Sequence, residues 1–343
     1  MPLAVDRPLS LDELPARLRG TMKHTSVTVA SLNIRGVPLA GSRLTARCQA
    51  IGAFFEANDA DVICFQEVHT YYHLRQLARQ MPSFRYASFR RTLRGPAGDV
   101  VTFSRLPMSA SAYHGFGASP RAPGIPPLAR LRARMKGVLV TRLAEPAISV
   151  VNTHPVANTD GDWSSANRFS PVHRAQLAAL ARVVRSVSVP AVVCGDFNVD
   201  RDSALFGEFI AGTALDDAFE GSCPATFRAE YLPAGEMPHC IDFILTAGEI
   251  KAEATEVLFA GRQVLRGGTG YVSDHLGLLA RLNCPRALPG LAPSIRNGTG
   301  RSRARRPPTA QPVIVKPVVD AHPRPLTRSA VPTSASRPAS AST

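Results

Sequence analysis

Short runs of β-branched and apolar residues recur along the chain, and stretches of helical periodicity separate them. Three of these runs are typical of buried strands: VTVASLNI at 27–34, DVICFQEV at 61–68 and AVVCGDFN at 191–198. The clearest helix is predicted over 171–187, where the apolar residues share one stripe. Because the two patterns alternate along the chain, they predict an α/β fold built in layers.

The same patterns predict further elements on both sides of a loop. Further strands are predicted at 84–89, 99–105, 137–143, 147–154, 240–246, 251–259 and 276–282, and further helices at 43–57 and 70–81. The segment between residues 105 and 137 is rich in Pro, Gly and Arg, and it is predicted to be a loop.

Composition divides the chain into three parts. Residues 1–24 are predicted to be an N-terminal extension and 25–284 the folded domain. Residues 285–343 are rich in Pro, Arg and Ser and are predicted to be a disordered basic tail. Ten of the chain's Lys and Arg fall in this tail with a single acid, so it carries nine of the net +14 charges. Either a solubilising tail or an arm that binds polyanions fits this composition.

Several classes of protein are excluded by the residues themselves. No stretch approaches the ~20 apolar residues of a membrane span, so no stable membrane insertion is expected. Charged residues interrupt residues 1–24, so a signal-peptide core is absent there and a cytoplasmic location is expected. The six cysteines lack CxxC spacing and fit reduced thiols. A monomer is expected.

Small groups of polar residues adjoin the predicted strands. They are Asn33, Glu67, Asn152, His154, Asp196 and Asn198 at strand ends, with Asp242 after HCI and Asp274 and His275 before LGLLARL. Buried strands keep their interiors apolar, and function lies on the loops that connect them. These side chains are therefore expected to meet at one sheet edge and form a site there.

Part of this set suits a hard metal ion. Glu67, with Asn33 nearby, offers oxygen ligands that suit Mg²⁺ or Mn²⁺ rather than zinc. Such a metal could polarise a phosphoryl oxygen and stabilise charge on the leaving group. Singly, each residue also fits a structural role, such as a turn cap for Asn33 or an ion pair with an arginine for Glu67. Their coincidence is what indicates a site.

The other polar residues suit proton transfer and transition-state binding. His275, oriented by a carboxylate, could act as a general acid or base near neutral pH. Asp196 could position or deprotonate the attacking water. Asn198 and His154 could donate hydrogen bonds to the charged transition state.

Six short motifs that contain these residues follow one another along the chain. They are SLNIRG at 31–36, FQEV at 65–68, NTH at 152–154, GDFN at 195–198, IDFIL at 241–245 and SDH at 273–275. In this order they resemble the endonuclease/exonuclease/phosphatase superfamily. The resemblance implies a four-layer α/β/β/α sandwich, in which two packed mixed sheets are flanked by helices. It also implies a metal-dependent hydrolase of phosphoric esters.

The resemblance also implies a role for each matching position. Glu67 would be the principal metal ligand, with Asn33 and Asp274 beside it. The catalytic positions would be an acid/base dyad of Asp242 and His275, Asp196 to align the water, Asn198 to hold the phosphate, and His154 to stabilise the pentacovalent transition state. Substrate binding would fall to Asn152 and Arg35.

Two departures bear on the substrate that the resemblance implies. Arg35 stands where abasic-site endonucleases of the superfamily carry an acidic residue, which disfavours that activity. The stretch 152–169 is more similar to bacterial members near neutral sphingomyelinases and deoxyribonuclease-like proteins, although Pro155 replaces the more usual Leu. Nucleic acids, phospholipids and inositol phosphates all stay open as substrates and partners.

A basic segment leaves a second class of function open. The cations are Arg90, Arg91, Arg94, Arg121, Arg130, Arg132, Arg134 and Lys136. They could grip a nucleic-acid backbone or a phospholipid surface, or they could form a solvated loop. The leading hypothesis is a Mg²⁺-dependent phosphodiesterase or phosphatase. The alternative is a non-catalytic scaffold that uses the basic tail to bind nucleic acid or anionic surfaces.

Overall fold

A computed structural model describes residues 24–37, 42–117, 124–164, 166–187 and 190–285, together with 309–310 and 313–314. The predictions of an N-terminal extension and a disordered tail concern residues that lie almost entirely outside these ranges, and Arg121 also lies outside them. The six cysteines carry free, buried thiols, as predicted. Among the described residues, no helix combines the length and the apolar character that a bilayer crossing requires.

The first sheet has six strands from the described domain, and its centre is a parallel pair. In spatial order these strands are β11 (Lys251–Leu258), β14 (Gly277–Pro285), β1 (His24–Asn33), β2 (Val62–Gln66), β4 (Val101–Ser104) and β3 (Tyr86–Ser88). Strands β1 and β2 are parallel, whereas β14 runs antiparallel to β1 and β4 antiparallel to β2. The sheet is therefore mixed.

The second sheet repeats this plan. Its six strands are β5 (Met108–Gly115), β6 (Gly137–Leu143), β7 (Ser149–Thr153), β8 (Ala191–Asp196), β10 (Asp242–Ala247) and β9 (Asp216–Asp217). Strands β7 and β8 are parallel, with β6 antiparallel to β7 and β10 antiparallel to β8. Two short strands outside both sheets, β12 (Gln263–Leu265) and β13 (Gly268–Gly270), pair with each other in an antiparallel hairpin.

Two dipeptides from the tail add one strand to each sheet. Strand β15 (Thr309–Ala310) pairs with β5, and β16 (Val313–Ile314) pairs with β3. Both join the outer strand of a sheet, where unpaired backbone groups offer a template for a further strand.

Alternation of side chains along the central strands builds the layers. On β1, Val27 and Val29 face the second sheet, whereas Ala30 and Leu32 join the apolar cluster beneath the helices α1 (Leu44–Ala57) and α2 (Tyr71–Gln80). The helices α4 (Ser170–Ser186) and α5 (Ala204–Thr213) cover the second sheet. The central strands of the two sheets pack against each other. This arrangement confirms the four-layer sandwich.

The sequence patterns missed three longer elements besides the short strands β9, β12 and β13. The segment predicted to be a loop contains β5 and the helix α3 (Pro127–Met135), and α5 was not predicted. Strand β5 is rich in Ser and Ala, and it lies next to the sheet edge with several side chains exposed. Helix α3 packs against the domain through alanines, whereas its larger apolar side chains are exposed. The hydrophobic pattern of its sequence therefore does not indicate which face is buried. Two glycines dilute the helical pattern of α5.

Candidate active site

Strand direction brings the predicted polar residues to one edge of the sandwich. The parallel strands β1 and β2 end at Asn33 and just before Glu67, and β7 and β8 end just before His154 and at Asp196. Strands β10 and β14 run the opposite way, so the start of β10 at Asp242 and the residues before β14 lie at the same edge. Side chains from both sheets therefore meet there.

Asn33 joins the two sheets within this cluster. Its amide Nδ2 donates to Glu67 Oε1 at 3.3 Å and to Asp196 Oδ2 at 2.9 Å. Its oxygen Oδ1 accepts from the backbone N–H of Arg35 at 2.9 Å. In this orientation Asn33 offers N–H groups to the carboxylates, so a role as an oxygen ligand requires the amide to turn over.

Glu67 has a buried carboxylate oxygen with spare hydrogen-bond acceptor capacity. Its Oε2 is buried without a hydrogen-bond partner among the described residues, and the imidazole Nε2 of His69 lies 3.7 Å away. Burial raises the pKa of Glu67, but His69, His154 and Lys136 outweigh it and lower the pKa to about 2. The loop is tight, because a Cβ on Gly36 would lie 1.7 Å from the carbonyl oxygen of Glu67. The ionised carboxylate is thus held in place by the SLNIRG motif.

His275 and Asp242 form a buried pair. The imidazole Nδ1 lies 2.8 Å from Asp242 Oδ2, which leaves Nε2 facing Asp196 Oδ2 at 3.8 Å and Asp274 Oδ1 at 3.9 Å. The ring of Phe227 packs edge-on against the imidazole. Burial lowers the pKa of His275, but Asp242 and Asp196 raise it well above its ordinary value. The protonated imidazole therefore points Nε2 into the cluster.

The GDFN motif forms a turn that orients the side chains of Asp196 and Asn198. Asp196 Oδ1 accepts from the backbone N–H of Asn198 at 2.9 Å, and Asn198 Nδ2 donates to the carbonyl of Pro155 at 3.2 Å. Asn198 has φ 52°, a left-handed conformation that Asn tolerates. A Cβ on Gly195 would lie 2.0 Å from Thr153 O, so glycine is required there. The turn leaves one N–H of the Asn198 amide free for a ligand.

Sequence reasoning missed a buried triad beside His154. Asp99 Oδ1 lies 2.8 Å from His154 Nδ1, and Lys136 Nζ lies 2.8 Å from both Asp99 Oδ2 and His154 Nδ1. His154 Nε2 then faces Asp196 Oδ2 at 3.5 Å. Burial and Lys136 lower the pKa of His154, but Asp99 and Asp196 raise it to about 9. Asp99 lies two residues before β4 and Lys136 directly precedes β6, so both stand at strand starts on this edge. Position at a strand start is a signal that the sequence reasoning did not use.

Arg35 and Asn152 occupy different surroundings. Arg35 Nε lies 3.2 Å from Asp274 Oδ2 at the rim of the cluster, and its guanidinium stacks on Tyr231 at 4.3 Å. Asn152 lies between the sheets, where Nδ2 donates to the carbonyls of Phe65 and Val101 at 3.2 and 3.0 Å. Its Oδ1 accepts from Gln66 at 3.0 Å. Both amide hydrogens are therefore used inside the sandwich, in contacts with residues outside the predicted site.

Two groups of atoms have the chemistry to hold a cation. One is the unpartnered oxygen of Glu67. The other is the group of Asp196, Asp242 and His275, whose ligand atoms lie within 4.8 Å of one another. In that second group His275 Nδ1 lies 2.8 Å from Asp242 Oδ2, whereas Asp242 Oδ1 is buried without a hydrogen-bond partner among the described residues. The Glu67 side of the cluster fits a hard cation better, because its donors are carboxylate oxygens, whereas the second group includes His275, whose raised pKa keeps the imidazole protonated and unable to coordinate.

Fold and site together define a sandwich whose two sheets share one polar edge. The family model for the Endonuclease/Exonuclease/phosphatase family matches residues 30–275, and the chain belongs to this family. Family members act on phosphoester bonds, generally as metal-dependent phosphodiesterases or nucleases. The buried cluster of acids and histidine is consistent with the divalent metal that the family typically requires.

Solved structures share the fold at low sequence identity. Beta toxin 275–280 from Staphylococcus aureus superimposes with a TM-score of 0.59 at 17% identity, covering 74% of this chain and 99% of that one. D. rerio TDP2, complexed with a single-strand DNA product, gives a TM-score of 0.57 at 15% identity over 76% and 99% of the two chains. A family protein from Bacteroides thetaiotaomicron gives 0.58 at 18% identity over 77% and 97%. No curated protein matched the sequence.

Proposed function

We propose that this chain hydrolyses phosphodiester bonds with Mg²⁺ or Mn²⁺ bound at the Glu67 side of the polar edge. The observation that carries the proposal is the bridge through Asn33. This amide contacts Glu67 and Asp196, so a carboxylate with a free oxygen on one sheet faces a proton-transfer group on the other. A phosphate between them would touch both.

The metal would be held chiefly by Glu67, with Asp274 beside it. Burial raises the pKa of Asp274, and the charge of Glu67 raises it further, which reflects repulsion between two acids in a common site. A divalent cation relieves such repulsion. When bound, it would neutralise charge on the phosphoryl oxygens and the leaving group.

The residues of this chain would supply the proton transfers and the hydrogen bonds. Burial raises the pKa of Asp196, but His275 and His154 lower it below its ordinary range, so the carboxylate is ionised and can orient a water molecule. His275 and His154 each turn a protonated Nε2 towards Asp196. A phosphorane bound at that point would receive N–H donors from both rings. Asn198 would add its free N–H.

The proposed substrate class is defined by the phosphate ester group, which three types of ligand share. Nucleic acids, phospholipids and inositol phosphates all present a phosphate ester, and the site recognises that group. The S. aureus toxin and the DNA-bound TDP2 show only that the same fold occurs in proteins of different kinds. We therefore propose a phosphodiesterase without choosing among these substrates.

The experiment is a panel of these three substrate types, each assayed with Mg²⁺, with Mn²⁺ and with EDTA. At least one substrate should be cleaved with metal and left intact with EDTA. Glu67→Gln removes the anionic ligand and should lower cleavage at fixed Mg²⁺ by about 100-fold, with partial recovery at higher Mg²⁺. Glu256→Gln, on the exposed strand β11, is the matched control. Activity that persists in EDTA and in Glu67→Gln would refute the proposal.

A further inference from the structure

Helix α3 presents its large apolar side chains to solvent. Leu128, Leu131 and Met135 are 57%, 53% and 57% exposed, and they account for three of the eight exposed large hydrophobic residues in the described part of the chain. Their spacing of three and four residues places them on one stripe. Exposed apolar side chains scattered singly are normal, whereas a stripe of three on nine residues marks an interaction surface.

The opposite face of α3 is already packed. Ala129 and Ala133 contact a small apolar cluster made of Ile125, Val156, Phe169 and Val172. At 100° per residue the two alanines lie roughly opposite the leucine and methionine stripe. The helix is therefore anchored to the domain through its small residues, and the stripe points outward.

Three exposed arginines share α3 with the stripe. Arg130, Arg132 and Arg134 are exposed, and α3 contains no acid. Arg132 borders the stripe on one side and Arg134 lies towards its other side. An apolar stripe between guanidinium groups fits an anionic bilayer, because the apolar side chains enter the acyl boundary while the long arginine side chains reach the lipid phosphates. Nucleic acid would engage the arginines alone and leave the stripe in water.

We propose that α3 is a docking helix for anionic lipid surfaces. Leu128, Leu131 and Met135 enter the interface, and the three arginines bind the headgroups. The nine net positive charges of the sequence after Pro285 add attraction to the same surface. This binding is independent of catalysis, so it can be measured without turnover.

The docking helix is adjacent to the active site along the chain. It ends at Met135, whose carbonyl accepts a hydrogen bond from the hydroxyl of Tyr113 at 3.0 Å. The next residue, Lys136, contacts Asp99 and His154 inside the site. Contact of α3 with a bilayer therefore takes place one residue away from a group that positions His154.

The test measures co-sedimentation of the full chain with phosphatidylcholine vesicles, with and without phosphatidylserine, at low and high salt. The double variant Leu128→Ser/Leu131→Ser should lower the partition coefficient for anionic vesicles by at least about tenfold. The triple variant Arg130→Gln/Arg132→Gln/Arg134→Gln should lower binding at low salt only. Met237→Ser/Val264→Ser, at positions that are 72% and 84% exposed elsewhere, is the matched control and should bind like the wild type.

Thermal unfolding of each variant shows whether the fold is kept, which is expected because the substituted side chains are exposed. The proposal is overturned if the wild type does not bind anionic vesicles, or if the leucine variant binds them equally well. It is also overturned if the control loses as much binding as the leucine variant. A leucine-dependent dimer in sedimentation velocity would assign the stripe to a second copy instead. Leucine-dependent, salt-sensitive binding of duplex DNA would assign it to nucleic acid.

Discussion

The two sheets are both mixed sheets around a central parallel pair, but the carboxylates at their polar edges have different hydrogen-bond partners. On the first sheet, Glu67 keeps a buried oxygen without a partner in the described part of the chain, and Asp274 is still partly exposed. On the second sheet, Asp196 accepts hydrogen bonds from Asn33 and from the Asn198 backbone. At the first edge the spare acceptor belongs to Glu67. At the second edge two hydrogen bonds order Asp196, and the spare oxygen belongs to Asp242, whose other oxygen is paired with His275. This difference suggests a division of work between metal binding and transition-state stabilisation.

The sharpest test of this division is Asp196→Asn, which keeps the shape of the side chain and removes its charge. It should lower kcat by about 10³-fold, because the water loses the carboxylate that orients it and both imidazoles lose an anionic partner. The Mg²⁺ concentration for half-maximal activity should change little, unlike in Glu67→Gln. Steady-state kinetics across a Mg²⁺ titration measure both quantities. If Asp196→Asn shifted the Mg²⁺ requirement and spared kcat, the division between the sheets would be wrong.

A smaller effect is expected from Lys136→Met on the second sheet. The ammonium group neutralises Asp99 and contacts His154 Nδ1, so it fixes the ring and adds positive charge beside the reacting phosphate. Its removal should lower kcat by about 100-fold with a minor change in KM. Lys251→Met removes an exposed ion pair with Asp216 and should leave kcat unchanged. A fall in melting temperature at unchanged kcat would restrict Lys136 to a structural role.

The sequence predicted the layers and most of the site because its strongest patterns are local. Apolar runs end at Asn33 and Asp196, and the side chains that follow strands in this fold converge on one edge whatever the details of packing. The resemblance then implied the four-layer sandwich, which the fold confirms, and the family match over residues 30–275 confirms the resemblance. The roles of the individual side chains are still predictions.

The remaining parts depended on contacts that a linear pattern does not encode. Lys136 belonged to a run of cations, so it was grouped with solvated arginines, yet it is buried against Asp99. Asp99 is held with φ 55° in a short turn before β4, which no periodicity reveals. Helix α3 was hidden because its apolar stripe faces outward. In each case tertiary packing decided the environment of a residue whose type allowed several.

Asn152 offers the final test, because the NTH motif assigned it to substrate while its amide is used between the sheets. Asn152→Ala would remove the side-chain donor to two backbone carbonyls in the interior and one of the acceptors of the Gln66 amide. The free energy of unfolding in urea should fall by about 2–3 kcal/mol. KM should stay near the wild-type value, since the hydrogen bonds of the side chain go to Phe65, Val101 and Gln66. Gln263 is the matched control, because its amide donates to the exposed carbonyl of Gly261. The variant Gln263→Ala should therefore have the free energy of unfolding of the wild type. A raised KM at unchanged stability would instead support the role in substrate binding, and the two sheets would then share one more function at their common edge.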